Sequence, residues 1–171
     1  MLPLTAEKLA GRKVYVEMMM RTEYTKEEKE NLPMTGIEIT PEQTIAAFAK
    51  AVREHHPDWT FVNDYHDADV ALLLLKPTSG SYFAATEGYL ELNLCKETGI
   101  DVEHIRAIRE AVSQVVVHVN LNLPYLLGNV EPLADAVTVG FDTFSKAAID
   151  VISGAAEPVG RLPITLPGSD A

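Results

Sequence analysis

The chain has 171 residues, 47% hydrophobic, 23% charged and 7% aromatic, which is enough apolar side chain for one packed domain and too much for a disordered tail. Its 25 acidic residues outnumber 14 basic ones, and the net charge of −11 repels a phosphate backbone, so nucleic acid is excluded as a partner. No stretch approaches the roughly 18 uninterrupted apolar residues of a membrane span, and residues 1–12 lack the apolar run of a secretory signal. No membrane partner is therefore expected, and the cytoplasm is the expected compartment. The single cysteine, Cys95, excludes an internal disulfide framework and a cysteine-based zinc site.

Val14-Tyr15-Val16-Glu17-Met18 is a short β-type run. Residues 22–31 carry Glu27, Glu28, Lys29 and Glu30 and read as a solvated loop or surface helix. A helix start follows: Thr40 can cap, Pro41 suits the first turn and Gln43 completes a capping box. Ile45, Phe48, Ala49 and Val52 recur at helical spacing, and Pro57 lies just past the end. Thr60-Phe61-Val62 reads as a short strand.

Residues 68–75, Ala-Asp-Val-Ala-Leu-Leu-Leu-Leu, are apolar on both alternating faces, the pattern of a central strand covered on both sides. Residues 102–112 form an amphipathic helix through Ile105, Ile108, Ala111 and Val112; 115–119 and 134–141 are further strands; 143–153 is a helix stopped by Gly154. Strands alternating with helices imply parallel βαβ units, hence one α/β domain over residues 1–171. Its expected architecture is a three-layer sandwich, with a mostly parallel sheet and helices on both faces.

Ligands of such sheets meet the loops after the strands' carboxyl ends, here 76–89, 120–129 and Asp142-Thr143. The first of these carries Ser79, Gly80, Ser81, Tyr82, Phe83, Thr86 and Glu87. Its glycine has no partners at phosphate-binding spacing, and Ser79-Gly80-Ser81 is not a hydrolase nucleophile elbow. The five histidines show no zinc-ligand spacing, so no metal is expected. His118, in an apolar strand, reads as a satisfied core histidine. His55-His56 stands at a helix end, where a cation complements the dipole. Cys95 reads as buried packing, and Asp69 and Asp135, which flank strand starts, read as structural. Carboxylates remain as the chemical resource. Glu87 and Glu91 would share a face if helical, and Glu87 becomes a proton donor if a neighbouring domain desolvates it.

The C-terminal third carries the most specific pattern. Asn129-Val130-Glu131-Pro132-Leu133-Ala134-Asp135-Ala136 leads to Val139-Gly140-Phe141, and the chain closes with Glu157-Pro158-Val159-Gly160-Arg161-Leu162-Pro163-Ile164-Thr165-Leu166-Pro167. This resembles the C-terminal α/β-sandwich domain of glycoside hydrolase family 3, the β-glucosidase family. Leu2-Pro3-Leu4, Ala68-Asp69-Val70-Ala71 and residues 115–120 are similar to further family segments. In the ending, Leu162-Pro163-Ile164 would lie along a sheet edge, where proline is tolerated.

The resemblance implies an active site shared with a (β/α)₈-type barrel that supplies the nucleophilic aspartate, while the sandwich supplies the acid/base from a loop. Thr86-Glu87-Gly88-Tyr89 is similar to that acid/base motif, with Leu90-Glu91 where Asp-Arg is usual. Glu87 is therefore the candidate acid/base. Tyr82 and Asn120 are candidate substrate contacts, with Asn122 and Tyr125 beside them. A barrel of about 250 residues does not fit in this chain, so its barrel partner would be a second polypeptide or part of a longer precursor. The implied substrate is a β-glycoside, hydrolysed by double displacement with no cofactor, and the sandwich alone would be inactive. The alternative is a non-catalytic carbohydrate-binding or self-associating module, for which a homo-oligomer is the expected assembly.

Overall fold

Strand β3 (Val70–Lys76) is apolar on both faces because both faces are covered: from Val70 to Leu75 no residue is more than 3% exposed. The structure, a computed structural model, describes residues 2–24, 26, 40–78, 91–141 and 145–166. Around β3 stand β1 (Lys13–Met20), β2 (Thr60–Val62), β4 (Gln114–Leu121) and β5 (Ala136–Phe141), in the spatial order β2-β1-β3-β4-β5. Every described pairing is parallel, with Val14 opposite Val70, Leu72 opposite Val116 and His118 opposite Thr138.

Two aspartates fix the amino ends of these strands. Asp69, just before β3, donates its N–H to the Lys13 carbonyl (2.9 Å) and accepts the Lys13 N–H on Oδ2 (2.8 Å). Asp135, just before β5, treats Val115 of β4 in the same way, at 2.8 Å each. Each aspartate thus adds a side-chain rung below the first backbone rung and holds two parallel strands in step. Both are structural, as the sequence implies. Arg12 ties the same end together, donating to Gln114 Oε1 (2.7 Å) and the Asp69 carbonyl (3.0 Å).

Helices cover the two faces. On one side lie α1 (Ala6–Leu9), α2 (Pro41–His55) and α4 (Ser145–Ser153), enclosing Leu9, Phe48, Val52, Trp59, Ile149 and Ile152 against Val16, Leu72 and Val116. On the other, α3 (Val102–Ala111) buries Ile105 and Ile108 against Leu73, Val115 and Val117, with Ala111 exposed. The three-layer sandwich is therefore present. The start of α2 is the expected capping box: Thr40 Oγ1 accepts from Gln43 N (3.2 Å), and Gln43 Oε1 accepts from Thr40 N (2.9 Å). At its far end His56 stacks on Trp59 at 4.2 Å, and burial pushes its pKa down. His56 is thus a neutral packing group and not the dipole-complementing cation.

The C-terminal segment departs from expectation. Residues 157–165 are exposed and pair with no strand, so Leu162-Pro163-Ile164 does not extend the sheet. Pro158 and Pro163 remove two N–H donors from any such ladder. Gly154 does stop α4 in a left-handed turn (φ +83°), and a Cβ there would lie 2.7 Å from Pro3 Cβ.

Two outcomes follow for stability. Burial raises the Asp135 carboxyl, but the Val115 amide and the Arg109 guanidinium outweigh it and hold the pKa below the usual carboxylate range. A depressed folded-state pKa gives stability that is present above the unfolded value of about 4 and lost as pH falls through the folded value. Asp135→Asn is expected to cost about 1–2 kcal/mol in urea unfolding at pH 7, and the difference from the native chain should shrink below about pH 4. Gly99→Ala is expected to cost about 2–4 kcal/mol by the same measurement: Gly99 has φ +85°, and a Cβ would sit 2.1 Å from the Arg21 backbone nitrogen.

Candidate functional site

The strands finish together at one end of the sheet, where Met20 stands opposite Lys76 and Asn120 opposite Gly140. Asn120 is half-buried there, on the end of a parallel sheet that takes ligands. The long loop after β3 leaves and returns at fixed points. Thr78 donates its N–H to the Thr98 carbonyl (3.0 Å), and Glu91 Oε1 accepts from Asn93 N (2.8 Å) and Asn93 Nδ2 (2.9 Å). Glu91 thus closes a turn and lies outside any helix. Glu87 and Tyr82 lie outside the described residues, as do Asp142 and Thr143.

Residues 91–101 form a platform across this end. Leu94 and Ile100 are fully buried. Asn129 Nδ2 donates to the Leu94 carbonyl (2.6 Å), and Leu126 N to the Leu92 carbonyl (2.8 Å). The buried Thr98 hydroxyl accepts from Cys95 N (3.0 Å) and sits 2.9 Å from the Cys95 carbonyl, so its burial carries no unpaired polar group. Gly99 lets the platform touch β1 at Arg21. Tyr125, a candidate sugar contact by sequence, is instead fully buried under this platform's flank and cannot reach a sugar in this domain.

Where the platform meets the end of β1, a cleft of about 760 Å³ opens between Met20–Tyr24 and Lys96–Asp101. Arg21 lies over the Tyr24 ring at 4.9 Å, and Lys96 pairs with Asp101 at 3.2 Å. Hydrogen bonding to the Cys95 thiol and to its own amide holds the Glu97 carboxyl low, and the His104 amide does the same for Asp101. Both are ionised at neutral pH, and they accept hydrogen bonds but cannot donate protons. Burial and the Glu97 carboxylate push the half-buried Cys95 thiol up, so it stays protonated and unreactive. The cleft therefore offers cations, acceptors and an aromatic face, the equipment for recognising polyhydroxylated or charged groups. Neither Glu97 nor Asp101 is an acid catalyst there.

Two further features escape the sequence reading. Glu17, mid-strand in β1, accepts from the Tyr15 hydroxyl (2.8 Å), and His104 Nε2 lies 3.0 Å from the same oxygen. Tyr65 packs edge-on to both rings. Burial and the Glu17 carboxylate push the Tyr15 phenol far above its ordinary value. The available signal was a carboxylate inside an otherwise apolar strand, which must find partners. His118 is only half satisfied: Nδ1 meets Thr138 Oγ1 at 2.9 Å, while Nε2 is buried with no partner among the described residues. Among the described residues no group of three potential metal ligands occurs, and no described helix is long and apolar enough to cross a membrane.

The comparisons with known proteins agree with this architecture. No curated protein matches the chain. A fungal multi-domain GH3 β-N-acetylglucosaminidase, with a GCN5-related glucosamine N-acetyltransferase region, matches at TM-score 0.52 and 15% identity over 94% of this chain and 16% of that one. β-Glucosidase D2-BGL from Chaetomella raphigera matches at TM-score 0.54 and 16% identity, over 98% of this chain and 27% of that one. At such identities these two share the fold, and the chain spans about a sixth and about a quarter of their lengths. The pattern of the glycosyl hydrolase family 3 C-terminal domain matches residues 1–171, and the chain belongs to that family.

Proposed function

We propose that this chain is the single-domain sandwich half of a β-glucosidase-type glycoside hydrolase, inactive alone and completed by a barrel domain that carries the nucleophile. The family match over the whole chain carries this reading. In it Glu87 is the acid/base, protonating the leaving oxygen and then activating water, and Tyr82 and Asn120 contact the β-glycoside. The protonation states at the carboxyl end support a separate acid. Glu97 and Asp101 are both held ionised by hydrogen bonds, and in this reading the proton comes instead from Glu87, desolvated when a second domain covers the loop.

The test is hydrolysis of aryl β-glucosides by the chain alone and mixed with a family 3 barrel domain. Turnover is expected in the mixture only. Glu87→Ala should lower kcat by about 10²–10⁴-fold, with azide, which attacks the glycosyl-enzyme without general-base help, restoring part of that loss on substrates bearing an activated leaving group. Asn120→Ala and Tyr82→Phe should raise KM with a smaller effect on kcat. No turnover in either sample, with saturable binding of glucosides, would replace this reading with that of a non-catalytic carbohydrate-binding module. Turnover by the chain alone would overturn the assignment of the nucleophile to a barrel.

A further inference from the structure

On the sheet face opposite α3, a second cleft of about 850 Å³ opens between the β4–β5 edge, α4 and the C-terminal segment. Its wall is mostly apolar: Leu2, Pro3, Phe141, Ala148, Val151 and Leu162 contribute, with Glu157 and Arg161 also on it. His118 and Thr138 lie on the same wall, facing each other across β4 and β5. The histidine is 3% exposed, is bonded to Thr138 through Nδ1 and is one of the residues that line the cleft. Its Nε2 is buried without a partner among the described residues. An unpaired buried polar atom is costly in an apolar setting and is worth a hydrogen bond to any ligand that supplies one.

We propose that this cleft is a binding site for a small, largely apolar molecule bearing one hydroxyl, of the phenol or aryl-alcohol class, whose hydroxyl bonds His118 Nε2. The volume is that of a small-molecule pocket. The hydroxyl follows from the histidine's tautomers. If Nδ1 donates to Thr138, Nε2 is an acceptor; if Thr138 donates to Nδ1, Nε2 carries the proton and donates. A hydroxyl answers either case, whereas a carbonyl, which only accepts, or an ammonium, which only donates, answers one. Burial pushes the His118 pKa down to about 4, so the ring is neutral at physiological pH and gives a carboxylate no ion pair. The exposed apolar side chains Phe141, Val159, Leu162 and Ile164 lie on or next to this wall and give an apolar solute its approach. The site is on β4–β5 and α4, so it stands whether or not the glycosidase reading does.

The test titrates p-cresol and its hydroxyl-free counterpart toluene into the chain, following the His118 ring resonances by NMR and the oligomeric state by sedimentation velocity. The expected result is saturable p-cresol binding to a monomer, with toluene about tenfold weaker. His118→Leu, which replaces a half-satisfied polar ring by an apolar side chain, should fold and bind both probes equally. Val151→Trp, which fills the cleft, should abolish binding of both with His118 intact. Equal binding of both probes by the native chain, an unchanged preference in His118→Leu, or no saturation would overturn the proposal. So would a dimer that excludes both probes, which would give the cleft to a second copy of the chain.

Discussion

A parallel sheet has no hairpins to set its register, so something else must hold each strand in step with its neighbour. In this domain two aspartates do so. Asp69 and Asp135 stand one residue before β3 and β5, and each grips the residue opposite it in the adjacent strand, Lys13 or Val115, through both its backbone and its carboxylate. A slip of one residue would separate both contacts and turn Leu72 and Leu74 towards the α3 layer. Two layers with different shapes would then receive the wrong side chains. The same Ala-Asp pair precedes both strands (Ala68-Asp69 and Ala134-Asp135), so one local grammar is used twice at the same end of the sheet.

Fixing the amino end leaves the carboxyl end available for chemistry. There the ends of β1 and β3 meet the 91–101 platform, which is held by backbone and side-chain hydrogen bonds and contributes no strand to the sheet. It meets the end of β1 at Gly99, where only a residue without a Cβ fits against the backbone of Met20 and Arg21. The polar cleft is therefore built from a strand end and a platform in direct contact. The loop between Thr78 and Glu91 has both of its attachment points on the same frame.

Much of this fold is written locally. The limits of β2, the capping box of α2 and the glycine stop of α4 follow from residues within a few positions of one another, and all three are present. The buried run of β3 announces its central position because no other site tolerates apolar side chains on both faces. What was not legible depends on distant partners. Glu17 meets His104 across 87 positions, and His118 meets Thr138 across 20. Tyr125 follows Asn122-Leu123-Pro124 and reads as a loop tyrosine, yet tertiary packing draws it fully into the core. Residues 162–164 read as an edge strand from their proline-bearing pattern, but a pattern that tolerates an edge does not supply a ladder partner.

The candidate site is legible to a different degree again, because its defining property is a protonation state. An acid catalyst in glycoside hydrolysis must hold its proton at neutral pH, and a carboxyl does so when burial outweighs hydrogen bonding to the charged form. At three described carboxylates the balance runs the other way. At Glu97 and Asp101 exposed carboxylates accept hydrogen bonds, and at Asp135 hydrogen bonding and a guanidinium overcome burial. All three are thereby held as anions. To make an acid of a carboxyl on this surface, a second surface must exclude water without bringing a cation against it, and in the proposed reading the barrel domain is that surface.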